Sequence, residues 1–595
     1  MSYLNGPRIN FWGGASTNVD TANNTESIDI AGHNQPVDIV DLISTTVTSP
    51  ETDDALIEAL RQPASSQGQN YYSQAGWNFY GDHQVAFNKA TVSSSGAPGA
   101  VSTSGDLVGE NVYLLGSVDP NTGEGPYGGP VMVDLDPTSS QTTQIFVGGL
   151  QIGATNPKLL IRCDTHCHSH FLGLRYDTKT TKPPFITPGS AWANGTFQVG
   201  FPMEAIKSWD DSCQILSDII NAPGAIGLVL RFSFFEFMPG MSTEEFQKDL
   251  KLNQNSANPS LGRVIGTLGP WFPDEPATIP PGRLLQNQNL GGASGLAWLD
   301  AENERLTLDL VSALQGEAIR QNAQDNTAPI GPNVDYGNLQ IGTTASSTPL
   351  ATTPSLPADY YLYGGLYDID VDAAACQALA AHPLTIGGSS TNPLQIAESP
   401  LRVYSNDRNI YLDDLGGKAT LNLNITELGG PLTSDVIMAL YTGVSGTLPD
   451  PRFLDYPTSV KICAGANSFS VDVSDNGRAA GFLSLHFDDG TNPQACFINF
   501  RKYPAEDFAD VIDNGDVTWD KVYQECLRFY YVLFPAMSKR IPLNDEATIK
   551  AVGAELLKRL SDQYRPTTLY MPLTRSMAPG RVKLLEAFVT PKPTP

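Results

Sequence analysis

Leu159-Leu-Ile-Arg-Cys163-Asp-Thr-His166-Cys167-His168-Ser-His170 opens on an apolar triplet and closes with a histidine at every second position. That alternation reads as a β-strand, because successive side chains of a strand point to opposite faces. His166, His168 and His170 then share one face, while Cys163, Thr165 and Cys167 share the other. Three of the chain's seven histidines are gathered here. Imidazole is the commonest protein ligand for transition metals, so the segment decides both the local fold and the first candidate site.

Working outward, similar runs bounded by turn residues recur at Asn111–Gly116, Val131–Asp134, Gln144–Ile152, Lys158–Tyr176 and Ala225–Met238. Two helices are expected among them, Glu51–Gln62 and Met203–Asn221, the second with apolar spacing at Ile206, Trp209, Cys213, Leu216 and Ile220. Ser93–Gly105 reads as a Gly/Ser-rich loop. These elements form an expected N-terminal β-rich domain over 1–321. Residues 322–358, with prolines at 329, 332, 349, 354 and 357, read as a linker. Short strands resume over 359–505 and predict a β-sandwich, its portion around 440–503 immunoglobulin-like. From 515 to 590 the spacing turns helical, with Trp519–Met537, Asn544–Tyr564 and Ala578–Val589 as helices and Asn544 as a cap. The expected class is mainly β, with several antiparallel sandwiches or barrels and a C-terminal helical segment.

Composition agrees with strands and turns: 41% of the 595 residues are hydrophobic, only 17% are charged, and there are 54 glycines and 44 prolines. The net charge of −27 repels phosphate backbones and anionic lipid, so neither nucleic acid nor a membrane is an expected partner. No apolar run approaches the ~18 residues that span a bilayer. Seven sparse cysteines and an N-terminus without a secretory pattern place the chain in the cytoplasm, as an expectation.

Strand geometry limits what the histidines can do. Neighbours two apart on one face are about 6.6 Å apart at Cα and can share a metal, whereas His166 and His170 would be about 13 Å apart. An adjacent pair therefore needs ligands from elsewhere. Glu236, on the apolar face of Leu230-Arg-Phe-Ser-Phe-Phe-Glu236, and His83, beside Asp82, are the candidates. The candidate metal set is thus His166, His168, His170, His83 and Glu236, with iron foremost or haem as the group held. No GxSxG elbow, Walker A loop or GxGxxG after a strand occurs.

Several segments in order carry a resemblance. They are Pro7-Arg-Ile-Asn-Phe-Trp-Gly13 with Ala22-Asn-Asn24; His83 followed by Ala90-Thr-Val92; Val133-Asp134-Leu-Asp136-Pro137 with Gln144-Ile-Phe146; and Gly269-Pro-Trp271 with Pro281-Gly-Arg283-Leu-Leu285. Phe529-Tyr-Tyr531, Phe534-Pro-Ala-Met-Ser538 and Tyr570-Met-Pro-Leu-Thr-Arg575 complete the set. Together they resemble the N-terminal half of the bisindole synthase family, the imine-dimer synthase of violacein biosynthesis and the chromopyrrolate synthases. The resemblance implies a haem- or iron-dependent enzyme of secondary metabolism that oxidatively couples indolepyruvate imines and carries a C-terminal ferritin-like domain. This sequence ends where that domain would begin, and the three-histidine cluster has no placed counterpart in the family pattern. The expected function is a metal- or haem-dependent oxidative enzyme acting on an aromatic or amino-acid-derived imine or keto acid. The alternative is a non-catalytic β-rich scaffold or ligand-binding protein that assembles with a separate ferritin-like partner or with itself.

Overall fold

The computed structural model describes residues 3–17, 40–61, 83–136, 142–170, 195–241, 245, 248–249, 252, 259–291, 293–314, 334–354, 356, 359–413, 416–443, 454–490, 496–538 and 540–590. It is mainly β, with several antiparallel sheets and helices near the C-terminus, as the composition and spacing predict. Two sheets face each other at the N-terminal end. The first is ordered Val85–Gly96, Arg8–Thr17, Ser260–Trp271, Gly227–Pro239, Gly195–Pro202. The second is ordered Ile206–Trp209, Leu159–His168, Thr143–Ile152, Val112–Leu115, with Val131–Asp134 also on Thr143–Ile152. Phe11, Phe87, Phe197, Phe232 and Phe234 from one sheet meet Ile145, Val147, Leu150, Ile161 and Cys167 from the other in a single apolar core. Isolated bridges at Gln84–Val131, Thr91–Asn111 and His170–Thr196 tie the sheet edges together.

An eight-stranded antiparallel sheet follows, running in space from Ser346–Thr353 at one edge to Leu366–Asp370 at the other and built from residues 283–398. It is fastened to the first sheet by buried ion pairs, Arg231 with Asp309 and Arg8 with Asp368. Here the structure corrects the expected linker. Of 322–358, residues 322–333, 355, 357 and 358 lie outside the described residues, but Leu339–Thr343 and Ser346–Thr353 pair as a hairpin. Leu339 and Ile341 are buried in the core of this sheet. Pro349 is accommodated because its strand is at the sheet edge, where a missing N–H breaks no ladder.

Residues 401–502 form a sandwich whose two sheets share a core of Leu421, Leu423, Val471, Leu440, Phe487 and Phe500. The expected boundary at 359 is thereby corrected: Leu366–Asp370, Leu384–Gly388 and Gln395–Glu398 pair into the eight-stranded sheet, and the sandwich starts only at Leu401. Two of its short strands, Leu401–Tyr404 and Asn409–Leu412, follow closely in sequence but lie in opposite sheets. The turn between them carries Asp407 and Arg408 towards the histidine strand. The C-terminal region is helical, and its long helix Glu546–Leu560 is capped by Asp545, whose carboxylate accepts from the Thr548 amide, one residue beyond the expected Asn544.

Two further expectations change. Met203–Asn221 is not one helix: Ile206–Trp209 pairs with Leu159–Ile161, and only Gln214–Ile220 is helical. The Asp210 carboxylate accepts from the Ser212 amide and makes the turn that ends the strand. Ser93 and Ser94 are not in a loop; they continue the strand Val85–Gly96, and their hydroxyls donate to the Leu362 carbonyl. All seven cysteines are free thiols. No helix among the described residues is long and apolar enough to cross a membrane.

Candidate functional site

The histidine strand, Leu159–His168, lies against Thr143–Ile152 with Phe146 opposite His166 and Gln144 opposite His168. Cys167 points into the apolar core, where its thiol donates to the Ile145 carbonyl at 3.7 Å and burial pushes its pKa far up. The alternation therefore places His166 and His168 on the face away from that core. The His166 ring stacks on Phe146 at 5.4 Å between centroids and meets His168 edge-on at 4.9 Å. His168 is 1% exposed, and neither of its ring nitrogens has a hydrogen-bond partner. Burial holds its pKa well below the ordinary imidazole value, with the neighbouring His166, His170 and Arg408 adding in the same direction. His166 is lowered too, by burial first, against the pull of Asp407.

The remaining members of the candidate metal set are placed differently. His170 has left the strand and bridges to Thr196 in the other sheet. Its Nε2–H donates to the Thr278 carbonyl at 2.9 Å, which leaves Nδ1 to accept from Arg408 at 3.3 Å. His83 donates from Nδ1 to the Met132 carbonyl at 3.1 Å and packs against Phe534. Its backbone lies three ladder spacings from the histidine strand, about 14 Å. The Glu236 side chain lies outside the described residues. Among the described residues, no group of three His, Cys, Asp or Glu side chains could hold a metal ion. The described residues thus offer two adjacent imidazoles, one of them unpartnered, and no third ligand beside them.

What the histidine face does meet is a set of arginines and tyrosines. The Arg575 guanidinium lies 3.4 Å from the Phe146 ring centroid and 5.3 Å from that of Tyr570. It is 1% exposed and donates to the carbonyls of Leu573, Arg565 and Thr567, while its Nε has no partner. Burial lowers its pKa to about 10. The Tyr503 hydroxyl donates to the Arg575 carbonyl at 2.5 Å and accepts from Arg565 Nη2 at 3.3 Å. Arg565, half-buried, also lies 5.2 Å from the Tyr411 ring, and Tyr411 accepts from Gln144 Nε2 at 2.8 Å. Neither Arg565 nor Arg575 forms a salt bridge among the described residues. The sandwich supplies Tyr411 and Tyr503, the C-terminal region Arg565, Tyr570 and Arg575, and the N-terminal sheet His166, Phe146 and Gln144.

No protein-family model matches the chain. Dichlorochromopyrrolate synthase of Lentzea aerocolonigenes is 22% identical over 99% of this chain and 56% of its own length. The 2-imino-3-(indol-3-yl)propanoate dimerase of Chromobacterium violaceum is 23% identical over 99% of this chain and 58% of its own length. This chain resembles the N-terminal half of the bisindole synthases. It spans about half the length of the curated relatives it matches. Among solved structures, the PapD-like domain of human CEP192 aligns over 18% of this chain and 86% of that one, at 14% identity and a TM-score of 0.13.

Two of the segments that carry the resemblance to these synthases, Gln144–Phe146 and Tyr570–Arg575, are more than four hundred residues apart yet meet at Phe146 and Arg575. Spacing alone links neither to the histidines. Arg565, Tyr411 and Tyr503 lie outside those segments, and nothing in their local sequence marks them.

Proposed function

We propose that the chain acts in secondary metabolism on an aromatic, amino-acid-derived imine or keto acid, as the part of a bisindole-type enzyme that holds this small molecule. The observation that carries the reading is similarity over 99% of the chain to two biosynthetic enzymes, one named for a 2-imino-3-(indol-3-yl)propanoate substrate. The meeting of Gln144–Phe146 with Tyr570–Arg575 beside the histidine strand supports it, because the shared segments gather where arginines and aromatic rings are dense. The relatives are longer than this chain, which supports a ferritin-like partner, in a separate polypeptide or a further segment, as the other half of the activity. Action in the cytoplasm belongs to the same reading.

Titration calorimetry of the parent protein tests the substrate class. Indole-3-pyruvate and phenylpyruvate bind saturably at one site per chain, and pyruvate and glucose do not. Heats no different from buffer for both aromatic acids contradict the reading.

A second reading, an oxidative enzyme holding iron or haem at His166 and His168, is favoured by the two unpartnered nitrogens of His168. Metal analysis and the visible spectrum of the purified protein test it. Stoichiometric iron or a Soret band that is lost in His166→Ala/His168→Ala is the expected result. Metal-free, colourless protein overturns it.

A further inference from the structure

Given the functional reading above, on which this inference rests, we propose that Arg565 is the carboxylate anchor of an aromatic-acid site at the junction of the three regions. Arg575 and Phe146 form its floor, and Tyr411 and Tyr503 flank it. The chain carries 63 acidic side chains against 36 basic ones, so carboxylates are in excess. Buried arginines elsewhere are satisfied in one of two ways: Arg8, Arg231 and Arg283 pair with a carboxylate, and Arg402, Arg408 and Arg501 donate to backbone carbonyls. Arg565 and Arg575 form no salt bridge among the described residues, although they lie beside each other, with Arg575 donating to the Arg565 carbonyl at 3.1 Å. Two neighbouring cations repel, and the arrangement is stabilised by an anion between or beside them.

The two arginines do different work. Arg575 is enclosed, and its terminal nitrogens are taken by three backbone carbonyls, so it contributes positive potential and a fixed shape. Arg565 is half-buried and makes one hydrogen bond, to the Tyr503 hydroxyl, which leaves most of its fork of donors open to a ligand. Asp562 bears on Arg565 electrostatically but does not pair with it, and Asp407 bears on His166 in the same way.

The surroundings specify the rest of the ligand. The Tyr411 ring lies 5.2 Å from Arg565 and the Tyr503 hydroxyl accepts from it, the two rings being stacked within 24° of parallel at 6.3 Å, while Phe146 lies behind them under Arg575. Aromatic surface beside a bidentate cation fits a planar ring carrying a carboxylate. A phosphate ester would bring two charges to a single open guanidinium, and a simple aliphatic acid would leave the part-exposed Tyr411 ring uncovered.

The test is the affinity of indole-3-pyruvate for the parent and for single variants, each first shown to keep the parent's thermal unfolding midpoint. In Arg565→Gln the dissociation constant rises at least tenfold, and Arg565→Lys recovers part of the loss. Tyr411→Leu weakens binding severalfold. Arg305→Gln, which breaks an exposed pair with Asp370, leaves it unchanged. Parent-like affinity in folded Arg565→Gln overturns the assignment while leaving the functional reading intact. In the parent alone, 3-methylindole, which lacks the carboxylate, binds at least tenfold more weakly than indole-3-pyruvate; equal affinity overturns the anchor even if no Arg565 variant folds. Failure of the parent to bind any aromatic acid removes the functional reading and the site with it.

Discussion

His168 is buried with two nitrogens that bond to nothing, and an unpartnered buried polar group costs about 1–3 kcal/mol of stability. The cost is borne by keeping the ring neutral. In the folded protein its pKa is well below 6.5, whereas in the unfolded chain it takes up a proton at the ordinary value. The unfolded state therefore binds more protons below pH 6.5, so the stabilisation is complete above that pH and is lost as pH falls through it. Asp134 acts in the opposite sense. Burial raises the pKa of its carboxyl well above the ordinary value, so it costs stability as pH rises above the usual carboxylate range. His168→Leu isolates the imidazole contribution. Thermal unfolding midpoints of the parent fall between pH 7 and pH 5, and those of His168→Leu fall less, the difference approaching about 1 kcal/mol per pH unit. Identical slopes would show that the imidazole takes a proton in the fold. Much at this scale was legible in the sequence: period-two alternation placed His166 and His168 on one face and Cys167 on the other. The role of Arg565 was not, because it depends on Tyr411 and Tyr503, which a different sheet delivers from far away in the chain.

At the scale of elements, a register shift between Val147 and Gly149 sets how the histidine strand meets its neighbour. Ile145 and Val147 face the core on one side of the shift, Leu150 and Ile152 on the other, so the inward parity of the strand changes there. Gly149 makes this possible. Its φ is +142°, and a Cβ on it would lie 2.0 Å from the Ile161 carbonyl oxygen. Gly149→Ala must move backbone on one strand or the other, at a cost of about 1–3 kcal/mol or more. The expected outcome is a thermal midpoint several degrees lower and a weaker response to indole-3-pyruvate, since Phe146 and His166 are displaced together. An unchanged midpoint would show that the pairing does not depend on this glycine. Element boundaries were the least legible feature of the sequence. Ile206 and Trp209 look like a helix face in isolation, but tertiary pairing with Leu159–Ile161 makes them a strand. The prolines that suggested a linker sit partly on an edge strand, where they are tolerated.

At the scale of the whole molecule, three regions that the sequence presents as successive blocks close on one another around the histidine strand. Asn409 donates from its side chain to the Thr142 carbonyl, Arg408 holds Ser169 and His170, and Thr568 exchanges hydrogen bonds with Ser117. Buried polar contacts of this kind fix the regions against each other, because opening them strands polar groups away from water. The class, mainly β with a helical C-terminal part, followed from composition and spacing. The closure did not, because it depends on contacts more than four hundred residues apart, such as Phe146 with Arg575. Whether one ligand is held by all three regions is read from amide hydrogen exchange of the parent protein with and without saturating indole-3-pyruvate. Slowed exchange confined to 143–146, 165–168, 408–411 and 565–575 is the expected result, three regions protected together by one ligand. Protection elsewhere, or none in these four segments, would contradict it.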